Sequence, residues 1–160
     1  MKNKSYFPMY VDISNRNVVV VGGGKVGTRR VKTLLHFTRN ITVIAPKMTA
    51  EMIELVKLGK IHAEFRTVKR SDLKDAYIVI AATDDWKVNY EISKICKEEG
   101  IYSNNATDHE NCDFYFPGVV IQDEVVVGVT ASGLNHRKAK EVRQEIEKTL
   151  KRFSGDQKDE

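Results

Sequence analysis

The stretch from Asn17 to Gly27, NVVVVGGGKVG, decides the fold. Four consecutive valines, Val18 to Val21, carry no polar alternation. They read as a strand buried on both faces, as in a parallel sheet. Gly22, Gly24 and Gly27 follow as G-x-G-x-x-G, between that strand and a helical pattern that runs from Lys25 to Phe37. In this setting the first glycine permits a tight turn and the second lets backbone approach a pyrophosphate. The third lets the helix lie against the strand. The helix start offers unpaired N–H groups and a positive dipole end to phosphate oxygens.

The alternation continues outward from this loop. Strands are predicted at 40–45 (stopped by Pro46), 61–65, 77–82 and 101–104. Helices are predicted at 48–58 and 86–99, each closed by a glycine, Gly59 and Gly100. Apolar strands alternating with helices predict a Rossmann-like α/β fold, a doubly wound parallel sheet. The pattern changes after Asn111. β-rich runs at 114–120 and 125–130 flank Gln122, Asp123 and Glu124, predicting a hairpin. A charged helix is predicted from Asn135 to Phe153, with a narrow stripe of Ala139, Val142, Ile146, Leu150 and Phe153. A hairpin and one helix are too small to form a core of their own, so this part, a dimerisation and substrate region in the expected division, is expected to pack on a second subunit, with packing on the first domain alone as the alternative. The expected division is a nucleotide domain at 1–112, the dimerisation region at 113–153, and a frayed tail at 154–160 that holds no apolar residue.

Composition narrows the function. At 160 residues with 41% apolar and 30% charged, the chain can bury one domain core and is not globally disordered. No apolar run approaches the length of a membrane span, and the amino terminus lacks a secretory pattern. The two cysteines, Cys96 and Cys112, are expected as reduced thiols in a cytoplasmic protein. The net charge of +4 is mild, and the basic residues near the carboxyl terminus alternate with acids. A nucleic-acid partner is therefore not expected. Dinucleotide sites usually carry an acid at the end of the second strand for the ribose. Here that strand ends Ile44-Ala45-Pro46-Lys47. Lys47 suits a 2′-phosphate or open solvent, and these residues leave NAD against NADP open.

Several blocks together make the chain recognisable. They are Phe7-Pro8-Met9-Tyr10, the glycine loop from Val19 to Val26, and Val43-Ile44-Ala45-Pro46. Next come Ile80-Ala81-Ala82-Thr83-Asp84-Asp85 with Val88-Asn89, then Asn105-Ala106-Thr107-Asp108, then Cys112-Asp113-Phe114 with Phe116-Pro117. From Tyr6 to Leu150 the chain resembles the precorrin-2 dehydrogenase / sirohydrochlorin ferrochelatase family, the amino-terminal module of siroheme synthases. The resemblance implies NAD-dependent oxidation of precorrin-2 to sirohydrochlorin, with metal chelation as a second activity in some relatives, and an interlocked homodimer. It places nucleotide contacts at Lys25, Val26, Pro46 and Lys47, and a catalytic aspartate at Asp108. Two segments depart from the pattern. His109-Glu110-Asn111-Cys112 lacks the usual proline, and Thr130 to His136 replaces a serine- and glycine-rich segment. Many relatives also carry further helices, so the resemblance implies that part of the usual pocket wall is missing here or comes from another subunit.

The candidate cofactor residues are thus Gly22, Gly24, Lys25, Val26, Gly27, Pro46, Lys47, Thr83, Asp84 and Asn105, with Asp108 as general base. Asp108 has a competing role as an Asx cap for the loop through Glu110. Asp84 has one as the cap of the helix that begins near Trp86. No protein metal site is expected, since Asp108, His109, Cys112 and His136 lack ligand spacing. The alternative function is a non-catalytic module that senses NAD(P).

Overall fold

A computed structural model describes residues 6–155. They fall into two compact units, one of residues 11–114 and one of residues 6–10 with 115–155. The expected boundary after 112 sits two residues before the observed one. Residues 6–10 group with the later unit because Tyr10 Oη donates to Val126 O at 3.1 Å and Tyr6 meets Tyr115 edge-on, with ring centroids 4.5 Å apart.

The first unit runs β1 (Val18–Gly23), α1 (Lys25–Leu34), β2 (Ile41–Met48), α2 (Ala50–Lys57), β3 (His62–Glu64), β4 (Ile78–Ala81), α3 (Trp86–Glu99) and β5 (Tyr102–Asn105). All five strands are parallel, in the order β3-β2-β1-β4-β5. Strand order reverses between β1 and β4, and at such a point the crevice beyond the strand ends is open to ligand. The valines of β1 alternate across the sheet. Val19 and Val21 join Ile44, Val79, Ala81, Ile92 and Cys96 in a core under α3. Val20 faces the opposite side, where α1 passes so close that a Cβ at Gly27 would lie 3.7 Å from Val20 Cγ1. The sheet is therefore covered on both faces, as the strand composition requires.

Two local expectations are corrected. β2 is not stopped by Pro46 but continues to Met48. The register shifts between the pairs Val21–Ile44 and Gly23–Met48, and Pro46, which has no N–H to donate, lies in that irregularity. α1 ends at Leu34 rather than at 37. The link from β3 to β4 holds only a short 3-10 turn, Arg70–Asp72, where many such folds place a helix. Leu73 plugs it into the core under α3. A fork from Arg66 to Asp72, at 2.7 and 2.8 Å, holds its shape, and the Lys69 amide donates to the same carboxylate at 2.7 Å.

The second unit is the antiparallel hairpin β6 (Gly118–Gln122) and β7 (Val125–Val129), followed by α4 (His136–Gly155). The turn is Asp123-Glu124, with Asp123 left-handed at φ 53°. Gln122 pairs with Val125 and belongs to the strand. The helix includes 154 and 155, where a tail was expected; 156–160 lie outside the described residues.

Asp72 tests the link. Arg66 lowers its pKa from 3.8 to about 2, so its contribution to folding is complete above the ordinary aspartate range and is lost as pH falls from 3.8 toward 2. Asp72→Asn should lower the urea midpoint at neutral pH, and the gap to wild type should close across that window. A gap undiminished at the bottom of the window would refute the assignment.

Candidate active site

The cleft lies at the carboxyl ends of β1, β2 and β4. Its volume is about 870 Å3, within the range of small-molecule sites. Its floor is the glycine loop. Gly22 has φ 118°, a conformation that side-chain-bearing residues avoid, and a Cβ there would sit 2.2 Å from Ala82 O. A Cβ at Gly27 would sit 2.2 Å from Gly22 O. These two positions press loop, strand and helix together. At Gly24 a Cβ would meet nothing within 4 Å. The loop is tight where it touches the protein and open at the start of α1, where a diphosphate would rest. Thr28 and Thr49 hold this geometry. Thr28 Oγ1 donates to Gly24 O at 2.9 Å or shares a hydrogen with Thr49 Oγ1 at 2.7 Å, and the Thr49 amide donates to Gly23 O at 2.9 Å.

Of the candidate residues, Gly22, Gly24, Pro46, Lys47, Thr83 and Asp84 line the cleft. Lys25 and Val26 are exposed in the first turn of α1 but do not line it, and Gly27 is buried beneath the loop. Asp84 does not cap α3. Asp85 does, its carboxylate accepting from the Lys87 amide at 2.9 Å. Asn105 is buried and does not line the cleft. Its Oδ1 accepts from the Thr107 amide, the Thr107 hydroxyl and the Asp108 amide at 2.9, 2.8 and 3.2 Å. Asn105 thus shapes the turn that carries Asp108.

Asp108 fills its competing role as a cap. One carboxylate oxygen accepts from the Glu110 amide at 3.0 Å and the other from Asn111 Nδ2 at 2.6 Å. The Asn111 side chain leads in holding this carboxyl below the usual carboxylate range, joined by backbone amides and the charge of His109. It is therefore an anion at neutral pH, able to accept a proton. Cys112 staples the same turn. Its sulfur accepts from the Asn105 amide at 3.1 Å and lies 3.3 Å from the carbonyls of Asn105 and Asp108. Burial pushes this thiol up, so it is a neutral hydrogen-bonding group and not a thiolate. Among the described residues, no group of three or more His, Cys, Asp or Glu could hold a metal ion.

Sequence reading missed one wall of the cleft. Arg66, Thr67, Val68, Lys69 and Arg70 line it, as do Lys87, Val88 and Glu91 on α3. Position alone was readable, since Phe65-Arg-Thr-Val-Lys-Arg70 follows β3. No local motif marks those residues as cleft-facing.

The comparisons fit this geometry. A family described as "Putative NAD(P)-binding" matches residues 9–118. The chain is 39% identical over 143 residues to a "Probable multifunctional siroheme biosynthesis protein HemA" of Ruminiclostridium josui, covering 89% of this chain and 28% of that one. It is 38% identical over 133 residues to a siroheme synthase of Nitrosospira multiformis, covering 81% and 28%. The chain thus spans just over a quarter of the length of these relatives. A solved structure described as "SirC, precorrin-2 dehydrogenase" shares the fold at a TM-score of 0.79 and 24% identity, covering 90% of this chain and 70% of that one.

The glycines separate folding from binding. Gly22→Ala should cost about 3 kcal/mol in a denaturation curve, the upper end for backbone strain. Gly24→Ala should melt like wild type yet bind dinucleotide about tenfold more weakly by calorimetry. Equal stability of Gly22→Ala and wild type, or equal affinity of Gly24→Ala and wild type, would contradict the respective role.

Proposed function

Because the chain belongs to the NAD(P)-binding family that covers residues 9–118, we propose that it is an NAD-dependent dehydrogenase that oxidises precorrin-2 to sirohydrochlorin. The observation that carries this reading is an open phosphate cradle and an ionised Asp108 on loops at one end of one sheet. A cradle alone would serve a sensing module equally well.

The reaction removes a hydride and a proton from the macrocycle. The bound nicotinamide supplies the hydride acceptor. The chain's own residues do the remainder. Gly22 to Gly24 and the start of α1 would hold the diphosphate, while Thr83, Asp84 and the Lys47 end of β2 would border the rest of the dinucleotide. Asp108 takes the proton. Its depressed pKa makes it a modest base, but one that is ionised throughout the neutral range. NAD is preferred over NADP on family resemblance, since Lys47 is exposed and compatible with either.

We further propose that the hairpin and α4 pack on a second copy of the chain. Val120 is the only buried residue among the described residues of that unit. Leu134 and Phe153 are 71% and 68% exposed, and Val142 is also exposed. A homodimer would bury this surface. No helix among the described residues is long and apolar enough to cross a membrane, and we place the enzyme in the cytoplasm.

Anaerobic mixing with precorrin-2 and NAD should give the sirohydrochlorin spectrum. Asp108→Asn should abolish turnover while dinucleotide affinity holds; full activity in that variant would remove Asp108 from the chemistry. Asn111→Leu deletes the main donor that stabilises the charged carboxylate. The Asp108 pKa should therefore rise, and the acid limb of kcat/KM should move to higher pH. An unmoved or lowered limb would argue against Asp108 as the titrating base. Sedimentation should show a dimer that Val142→Glu and Phe153→Glu together convert to monomer.

A further inference from the structure

Asn89 is fully buried in the first turn of α3. A buried carboxamide has two donor and two acceptor positions to satisfy, and all are taken. Its Oδ1 accepts from the Thr83 amide at 3.0 Å and from the Thr83 hydroxyl at 2.7 Å. Its Nδ2 donates to Thr83 O at 3.0 Å and to Thr107 Oγ1 at 3.2 Å. Three of these bonds grip the β4–α3 loop that borders the cofactor cleft, and the fourth reaches the loop that carries Asp108.

The chain of bonds continues without a gap. Thr107 Oγ1 donates to Asn105 Oδ1 at 2.8 Å, and that same oxygen accepts from the Asp108 amide at 3.2 Å. A second branch runs from Asn105 Nδ2 to Ser93 Oγ at 3.3 Å, and from Ser93 Oγ to Asn89 O at 3.1 Å. Thr83 lines the cleft, whereas Thr107 and Asp108 do not. The two loops follow different strands and are 24 residues apart, from 83 to 107. This network of side chains ties them together.

We infer that Asn89 and Thr107 are positioning residues that couple the cofactor-side loop to the Asp108 loop. Dinucleotide held against Thr83 fixes the Thr83 loop, and Asn89 passes that constraint through Thr107 to the backbone of Asp108. The coupling rests on the dehydrogenase reading for its catalytic meaning. The mechanical link stands on geometry alone and is testable without turnover.

Thr107 is the residue to change, because it is exposed and its hydroxyl is the bridge. Thr107→Val removes the bridge, and Thr107→Ser keeps it. Hydrogen exchange should show NAD slowing exchange in both 83–89 and 105–112 of wild type and Thr107→Ser. In Thr107→Val the protection at 83–89 should persist and that at 105–112 should vanish. In the precorrin-2 assay Thr107→Val should lose about tenfold in kcat, a coupling of ordinary size, with KM for NAD little changed. Thr107→Ser should recover most of the loss. Protection of 105–112 that survives in Thr107→Val would overturn the relay. So would a loss that tracks a lowered melting temperature and that serine does not rescue. Wild type showing exchange coupling without oxidising precorrin-2 would sink the dehydrogenase reading and leave the relay standing.

Discussion

The close approach of backbone to backbone at Gly22 is the constraint on which the rest of this molecule depends. The loop leaves β1 with φ 118°, packed against the Ala82 carbonyl at the end of β4. Gly27 then brings α1 down onto the Gly22 carbonyl. With no side chain at either place, β1, β4 and α1 can converge within a few ångströms, and the reversal of strand order between β1 and β4 becomes a usable crevice. Thr28 and Thr49 then pin the far side of the loop to the start of α2. The shape of the cradle is set chiefly by backbone contacts.

The size of the cleft follows from what the fold leaves out. The β3–β4 link is a short turn held by Arg66 and Asp72. Without a full crossover helix on that face, Val68, Leu73, Ile92 and Ile95 border open space as well as core. The basic residues of the link are partly neutralised in place. Arg66 is matched by Asp72, and Arg70 by Glu98 and Glu99. Lys47 at the end of β2 occupies the place where many dinucleotide sites carry an acid.

In the Asp108 turn one set of bonds both shapes the backbone and holds the carboxylate charge. Donors from Glu110 and Asn111 shape the turn and, by stabilising negative charge, keep the carboxylate ionised. Capping and proton acceptance are therefore compatible roles here. Asn105 and the neutral Cys112 thiol hold the same turn from behind. The hairpin and α4 present the opposite situation. One buried valine cannot offset the entropy of ordering some forty residues, which is the physical argument for a partner surface.

What the sequence determined by itself was everything encoded in adjacent residues. The run of valines, the glycine spacing and the span of α3 from Trp86 to Glu99 were all legible, because burial on both faces, positive φ and helix punctuation are local properties. Only the tertiary structure decided that Pro46 lies within β2, because the irregular pairing with β1 spares it a ladder bond. Only it chose Asp85 over Asp84 as the cap, a difference of one residue that backbone angles settle. The basic wall at 66–70, the burial of Asn105 and the four bonds of Asn89 were equally illegible. Their partners lie on other strands, and a side chain's surroundings are fixed by the packing of the sheet and not by its neighbours along the chain.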